Sequence, residues 1–180
     1  MIEKNPFRFF LPAKPQKLIV GSFPCFNGKD YGDWFYSGSG KNHFWQLLSD
    51  ALDMPATSMK EKMALCEKHG IALTDIAYKI ERKLGNCSDA NLKILELNRK
   101  GIDKCLGSGI KTIFFTSRFV EKHFRKLYPE LKLETFLLLS PSPAANMHIG
   151  GLINYKEMRL NKKIGSPYEF RLLQYKKLLL

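Results

Sequence analysis

The sequence predicts an α/β fold, a three-layer α/β/α sandwich around a central, mainly parallel sheet of four strands. Four short β-type runs alternate with helical stretches, and no internal repeat interrupts that order. Strands that alternate with helices form parallel sheets, because each helix carries the chain back to the edge where the next strand begins. A chain of 180 residues has the length of one ordinary domain, so we expect residues 1–180 to form a single domain.

The predicted strands are short apolar or β-branched runs bounded by turn residues. They are residues 17–20, 71–77, 111–116 and 133–139. Gly21 ends the first run, and Ser140 and Pro141 end the last one. Residues 78–97 fit neither the strand nor the helix pattern cleanly. Because ligands bind beyond the carboxyl ends of parallel strands, the loops that follow the first and last strands are the places to look for a site.

Capping residues mark the predicted helices. The candidate N-caps are Ser58, Asn98, Ser117 and Ser166, and both Ser58 and Ser166 have a glutamate three residues later, which makes a capping box. Residues 44–52 show apolar side chains at helical spacing and predict a further helix. The segment Ala144–Gly151 is predicted to be a loop.

The chain is strongly basic, with 29 lysine and arginine residues against 17 aspartate and glutamate residues and a formal net charge of +12. This excess favours a polyanionic partner, although it does not distinguish among polyanions. Within residues 151–180 the cations are Lys156, Arg159, Lys162, Lys163, Arg171, Lys176 and Lys177. The alternative for this cluster is a merely solvated face.

The four cysteines predict neither a metal site nor a disulfide framework. They are Cys25, Cys66, Cys87 and Cys105, and no two form a CxxC pair. The sequence shows no apolar run long enough to cross a bilayer and no secretory signal at its beginning. We therefore expect a soluble cytoplasmic protein with reduced thiols and no cofactor.

Two loops concentrate residues that suit nucleic-acid chemistry. Residues 22–42 are rich in glycine, serine and aromatic side chains, which either stack on a flipped base or form a small core beneath the loop. Tyr36 is the strongest candidate for stacking. Residues 140–151, SPSPAANMHIGG, offer backbone N–H groups and the hydroxyls of Ser140 and Ser142 to phosphate oxygens. Alone, this second segment is an ordinary proline and serine turn.

Four motifs together resemble those of a known family. They are LIVGSFP (18–24), WFY (34–36), KNHFW (41–45) and LLSPSP (138–143). In this order they resemble the uracil-DNA glycosylase superfamily, and most closely its hypoxanthine-DNA glycosylase branch, which is related to the mismatch-specific uracil/thymine glycosylases. The likeness continues through residues 70–76, 86–91 and 111–116, so it covers the chain from Lys17 to about Asn146.

The resemblance implies a monofunctional DNA glycosylase, which uses water to hydrolyse the N-glycosidic bond of a deaminated base, uracil or hypoxanthine, in base-excision repair. The catalytic asparagine of the hypoxanthine branch corresponds to Asn42, and Tyr36 corresponds to the aromatic that stacks on the base. At two positions the chain departs from the best-known uracil enzymes. Phe23 replaces a carboxylate or amide that positions water, and Ser140 replaces a histidine that stabilises the leaving base.

The remaining expected contacts follow the same motifs. The base is expected to meet Ser22, Phe23 and Asp75, and the DNA to meet Lys41, Ser140, Ser142, Ala144, Ala145, Asn146 and His148. Ala144 and Ala145 match the segment that enters the duplex, and the larger alternatives for the wedge are Met147, His148 and Ile149. The expected partner is DNA with a damaged or mismatched base, bound by a monomer.

Alternatives stay open for the two principal polar residues. Asn42 precedes a predicted helix and is also a candidate N-cap, and Asp75 either reads a base edge or braces a loop. For the whole chain, the departures at Phe23 and Ser140 leave open a DNA- or nucleotide-binding module that kept the fold and lost the activity. A third hypothesis is a small hydrolase for a free nucleoside or phosphorylated ligand.

Overall fold

A computed structural model describes residues 2–180, and its main feature is a five-stranded, mostly parallel sheet. The strands of the chain are β1 (Ile2–Lys4), β2 (Phe9–Phe10), β3 (Lys17–Gly21), β4 (Ile71–Asp75), β5 (Ala77–Arg82), β6 (Leu92–Leu97), β7 (Thr112–Phe115) and β8 (Glu134–Leu137). The main sheet has the order β2-β4-β3-β7-β8. Its four parallel strands are the four predicted from sequence, so the α/β class and the parallel sheet are confirmed.

The central strand β3 pairs with a parallel neighbour on each side. Leu18, Ile19 and Val20 are fully buried in it, as expected for a strand covered on both faces. The fifth strand, β2, was not predicted. It is only two residues long and pairs antiparallel with β4 through Phe9 and Thr74, which is too short to produce a recognisable alternation of side chains.

Residues 78–97, which the sequence left unassigned, belong largely to a second, antiparallel sheet with the order β1-β5-β6. The register of β5 against β6 shifts at two points near Lys79, and such irregularity blurs the two-residue period of a strand. This is the physical reason why the sequence pattern was ambiguous there.

The helices are α1 (Phe44–Leu52), α2 (Met59–His69), α3 (Arg99–Leu106), α4 (Arg118–Leu127), α5 (Asn146–Gly151), α6 (Ile153–Leu160) and α7 (Pro167–Leu179). Three predicted N-caps are confirmed, because the hydroxyls of Ser58, Ser117 and Ser166 each accept a backbone N–H three residues later. Asn98 occupies the predicted N-cap position of α3, but its side chain accepts no N–H group of the helix and bonds elsewhere. The predicted loop Ala144–Gly151 is also wrong, because it is largely helical.

The chain folds into two compact units. The first contains the chain up to Gly40 together with Cys66–Leu138, and therefore holds both sheets. The second contains Lys41–Leu65 and Leu139–Leu180, and within it α1 packs against α7. No helix within residues 2–180 is both long enough and apolar enough to pass through a lipid bilayer.

The expectation of four reduced cysteines is wrong for one pair. Cys25 and Cys87, 62 residues apart in sequence, form a disulfide with their Cα atoms 5.2 Å apart, within the usual range for a cystine. Cys66 and Cys105 are free and buried. Spacing along the chain could not reveal this pairing, because it is folding that brings the two loops together.

Candidate functional site

In the first unit, two predicted site residues converge on Gly21 at the carboxyl end of β3. A β-carbon at this position would lie 2.5 Å from the Tyr36 hydroxyl oxygen and closer still to Oδ1 of Asp75. A side chain at this position would force the Asp75 carboxyl or the Tyr36 phenol to move. Glycine therefore lets the phenol and the carboxyl approach the backbone of the central strand, and we call Gly21, Tyr36 and Asp75 the carboxyl corner.

Asp75 is the unusual ionisable group of this corner. It ends β4, is only 4% exposed, and receives a hydrogen bond from the Asn5 side-chain amide to Oδ2 at 2.8 Å. Burial raises the pKa of Asp75 to about 7, the Asn5 hydrogen bond opposes that shift, and the negative charge of Asp89 adds to it. The carboxyl group can therefore be protonated or ionised near neutral pH.

Two asparagines that the sequence did not assign to the site, Asn5 and Asn98, build the wall around Asp75. Oδ1 of Asn5 accepts the backbone N–H groups of Phe7 and Arg8, at 2.9 and 3.2 Å. Nδ2 of Asn98 donates to the Arg8 carbonyl at 2.7 Å and to the Asp75 carbonyl at 3.2 Å. Asn5 and Asp75 are 70 residues apart along the chain, and Asn98 and Arg8 are 90 residues apart. No local sequence pattern could therefore reveal these contacts.

The aromatic loop is mostly a small core. Trp34 and Phe35 are 6% and 1% exposed, and their rings pack against those of Phe10 and Phe7. Tyr36 is the exception, because it is half-buried and has a left-handed backbone with φ of +60°. Non-glycine residues adopt this conformation uncommonly, and it is enriched at functional sites.

Phe23 and Ser22 connect β3 to this loop. Phe23 is 8% exposed, and its ring packs against Tyr31 with the Arg82 guanidinium 5.9 Å from the ring centroid. Its surroundings are those of a core residue. The half-buried Ser22 accepts the Ala77 N–H through its carbonyl at 3.2 Å, which fixes the backbone at the strand end.

A buried ion pair anchors the same loop. The Arg82 guanidinium donates to both carboxylate oxygens of Glu3, at 2.8 and 3.0 Å, and to the Pro24 carbonyl at 3.2 Å. The Tyr31 hydroxyl donates to Glu3 at 3.0 Å. Although burial opposes it, hydrogen bonds from Arg82 and Tyr31 and the charge of Arg82 lower the pKa of Glu3. The loop is thereby held by charge as well as by apolar packing.

In the second unit, the Asn42 turn lies against the Ser140–Ser142 segment. The His43 N–H donates to the Pro141 carbonyl at 3.0 Å, which joins two of the motifs singled out in the sequence. Oδ1 of Asn42 accepts the N–H of Phe44, the first residue of α1, at 2.9 Å. The N-cap of α1 is His43, so Asn42 lies one residue before the cap position that the alternative assigned to it, and its side chain braces the helix start from there. A carbonyl oxygen has two lone pairs, so one acceptor position is left for water.

Arg171 supports this segment from within. The side chain is fully buried on α7, and its Nε and Nη2 donate to the carbonyls of Ser140 and Ser142 at 2.7 and 3.0 Å. Burial lowers the pKa of the guanidinium, and no carboxylate in residues 2–180 forms an ion pair with it. We call Arg171 and the Ser140–Ser142 segment the guanidinium corner.

The sequence counted Arg171 in the basic C-terminal cluster, for which it offered a polyanionic partner or a solvated face, and complete burial makes both interpretations wrong for this side chain. A helical pattern was present, because Arg171 shares a buried stripe with Tyr175 and Leu179 at spacings of four residues. Arg171 also affects His43. Burial first, and the positive charge of Arg171 second, lower the pKa of that imidazole.

The predicted DNA-contacting residues differ in exposure. The hydroxyl oxygens of Ser140 and Ser142 each accept a nearby backbone N–H at 3.3 Å, which leaves their protons to donate. Lys41, Ala144, Asn146 and His148 are exposed, and Ala145 is half-buried. Met147 is 91% exposed, whereas Ile149 is fully buried. Within residues 2–180, no cluster of three or more His, Cys, Asp and Glu side chains could hold a metal ion.

Comparisons with known proteins find likenesses among solved structures. No protein-family model matches the chain, and no curated protein matches it. A solution NMR structure of a "putative Uracil DNA glycosylase" from Methanosarcina acetivorans does match, with a TM-score of 0.63 and 22% sequence identity over 99% of this chain and 97% of that one. At this identity the likeness establishes the fold, and the fold is the one that the sequence motifs predicted.

Proposed function

We propose that the protein is a monofunctional DNA glycosylase that removes a deaminated base, uracil or hypoxanthine, in base-excision repair. The carboxyl corner is the observation that supports this most. A half-buried tyrosine and a buried carboxyl group meet over a glycine at the end of a central parallel strand, in a fold shared with the Methanosarcina acetivorans protein. Ligands of open parallel sheets bind at such strand ends.

The corner suits the edge that deamination creates on a base. Deamination replaces an amino group by a carbonyl and places a hydrogen on the adjacent ring nitrogen, in uracil and hypoxanthine alike. Because the pKa of Asp75 is about 7, its carboxyl group can accept that N–H when ionised or donate to that carbonyl when protonated. Tyr36 supplies the aromatic surface, and stacking of a base on such a ring contributes about 1–3 kcal/mol.

We assign the hydrolytic water to Asn42. Departure of the base takes the electron pair of the C1′–N bond and leaves an oxocarbenium-like sugar, to which water adds before it loses a proton to solvent. This reaction needs a positioned water and charge stabilisation more than a strong base. The second acceptor position of the Asn42 carbonyl can hold the water, and backbone N–H groups can stabilise the departing base anion.

The second unit also supplies contacts to the duplex in this proposal. We assign the wedge to Met147 rather than to Ala144 and Ala145. Met147 is the most exposed large apolar residue of the chain that follows the Ser140–Ser142 segment. Ile149 is ruled out as the wedge in this conformation by its complete burial. The serine hydroxyls, Lys41 and His148 are assigned to phosphates, and we propose that the protein acts as a monomer on DNA.

The test is excision from duplexes that carry uracil, hypoxanthine or a mismatched thymine, followed by alkaline cleavage of abasic sites. We expect product from at least one of the three duplexes. Asn42→Ser is the decisive variant, because a serine hydroxyl can still accept the Phe44 N–H while the amide that holds water is lost. It should fold like the wild type and lose at least 100-fold in single-turnover rate, by analogy with the loss of one positioned polar group.

Other outcomes identify the competing functions. Full activity in Asn42→Ser would reduce Asn42 to a helix-bracing residue. Tight binding without product from any duplex would identify an inactive DNA-binding protein, and that binding should weaken as salt rises. Turnover of free nucleosides without DNA binding would identify a small hydrolase instead.

A further inference from the structure

The first unit contains a basic cavity that no sequence motif indicated. It has a volume of about 560 Å³ and is lined by Arg8, Phe9, Lys100, Gly101, Asp103 and Lys104. Three of these side chains are cations and one is an acid. The acid, Asp103, accepts a hydrogen bond from the Tyr128 hydroxyl at 2.6 Å, so part of its acceptor capacity is already used. The cavity therefore favours an anion.

Arg8 is the fixed element of this cavity. Its guanidinium donates to the Tyr78 hydroxyl at 2.7 Å and lies 4.4 Å from the centroid of that ring. Its backbone is left-handed, with φ of +54°, and its carbonyl accepts hydrogen bonds from Thr74 and Asn98. A left-handed arginine costs free energy, which these bonds offset, and such strain concentrates at functional sites. The arginine head is thus held in place before any ligand arrives.

The cavity is also connected to the carboxyl corner. Asn5 accepts the Arg8 N–H with one side-chain atom and donates to Asp75 with the other. Asn98 likewise contacts the carbonyls of Arg8 and Asp75. Arg8, which lines the cavity, is therefore joined to Asp75 through two asparagine side chains. Gly101 keeps α3 close to this frame, because a β-carbon there would lie 2.7 Å from the Asn98 side chain.

We propose that the cavity of Arg8, Lys100 and Lys104 binds a backbone phosphate of the DNA, next to the nucleotide whose base contacts Asp75. This inference rests on the proposed function. The planar guanidinium matches two phosphate oxygens, and the two lysines add charge without a demand for precise geometry. Contacts of this kind fix the register of a protein on DNA and carry no sequence information.

The test compares two lysine pairs that remove the same charge. One is Lys100→Gln/Lys104→Gln, and the control is Lys122→Gln/Lys126→Gln, an exposed pair on α4 outside the cavity. Binding of a fluorescent duplex with normal bases is measured by anisotropy over a range of KCl concentrations. Loss of one phosphate contact should make the slope of log K against log salt about 0.9 less steep. The affinity ratio of wild type to the cavity variant should therefore be about eightfold larger at 0.1 M than at 1 M salt.

Equal slopes for the two variant pairs would overturn the proposal. This assay measures DNA binding and not base removal. If the wild type binds duplex and the cavity variant shows the same slope as the wild type, the cavity proposal alone is refuted. A wild type that binds no duplex refutes the proposed function with it. In a separate experiment, inorganic phosphate and a nucleoside monophosphate are each titrated into the protein, and the NMR signal of the Gly101 amide is followed. Submillimolar saturation by either would assign the cavity to a free phosphate ligand and overturn the backbone assignment.

Discussion

The carboxyl corner and the guanidinium corner each bury an ionisable side chain beside predicted site residues, but they compensate burial differently. Asp75 has the neutral Asn5 amide as its side-chain hydrogen-bond partner, and burial moves its pKa to about 7. Arg171 donates to two backbone carbonyls, at 2.7 and 3.0 Å. A guanidinium remains charged at any pH at which proteins stay folded, even when burial lowers its pKa.

The difference separates a corner that changes charge near neutral pH from one that does not. The carboxyl corner can therefore take part in recognition of a base in either protonation state. The guanidinium corner is a permanent support, whose donors fix the backbone of the Ser140–Ser142 segment. Variants at three positions test this division, through the free energy of unfolding measured in urea.

The largest effect is expected from Arg171→Ala. We expect the free energy of unfolding to fall by about 4 kcal/mol, because the change opens a cavity and leaves two carbonyls without their donors. Arg171→Lys keeps the charge but lacks the planar set of N–H donors of the guanidinium, so its free energy of unfolding should fall by about half as much. A loss below about 1 kcal/mol for Arg171→Ala would show that the segment does not depend on this side chain.

Asp75→Asn should produce the next largest effect, and one that depends on pH. The ordinary pKa of an aspartate is 3.8 and that of folded Asp75 is about 7, so folding retains a proton between these values. Stability from this group is fully present below about pH 4 and is lost as pH rises to about 7, by about 1.4 kcal/mol per pH unit. Asp75→Asn should remove that slope.

The exposed Asp53 provides the control for this measurement, because Asp53→Asn makes the same chemical change outside the corner. From pH 5 to pH 7, the free energy of unfolding of the wild type and of Asp53→Asn should each fall by about 2–3 kcal/mol more than that of Asp75→Asn. Parallel stability profiles for all three proteins would mean that Asp75 is ionised throughout this range, and the proposed contrast between the corners would disappear.

Gly21→Ala should have the smallest effect and lower the free energy of unfolding by about 2 kcal/mol. Only one added methyl group would contact the Asp75 carboxyl and the Tyr36 hydroxyl. Tyr36→Phe removes one of the two obstructing oxygens, so the double variant should lose less than the sum of the single losses. Gly85→Ala is the matched control, since nothing lies within 4 Å of its β-carbon position. Additive losses for Gly21 and Tyr36 would contradict the close approach.

Sequence reasoning succeeded where the deciding interactions are local. Ser58, Ser117 and Ser166 cap helices through N–H groups three residues away, and the four parallel strands are short runs rich in apolar and β-branched residues. It also placed Tyr36 and Asp75 at strand ends or in loops that follow them. It could not join Asn5 to Asp75, because their contact spans 70 residues and neither residue stands in a recognisable pattern.

Arg171 was misplaced for a related reason. Charge counting puts an arginine at the surface, and only its contacts with carbonyls 29 and 31 residues earlier show why it is buried. The Asn42 motif was found, but its geometry carries both a helix-bracing contact and an open acceptor position. Which of these matters depends on the reaction, so the sequence alone could not decide between them.

The disulfide between Cys25 and Cys87 has a consequence for limited proteolysis. It encloses the stretch of chain that contains Tyr36, Asn42 and Asp75. A protease that cuts once anywhere between the two cysteines leaves both fragments covalently joined. Such nicked protein migrates as one species on a denaturing gel without reductant and as two species with it, so a nick in this stretch escapes notice unless the sample is reduced.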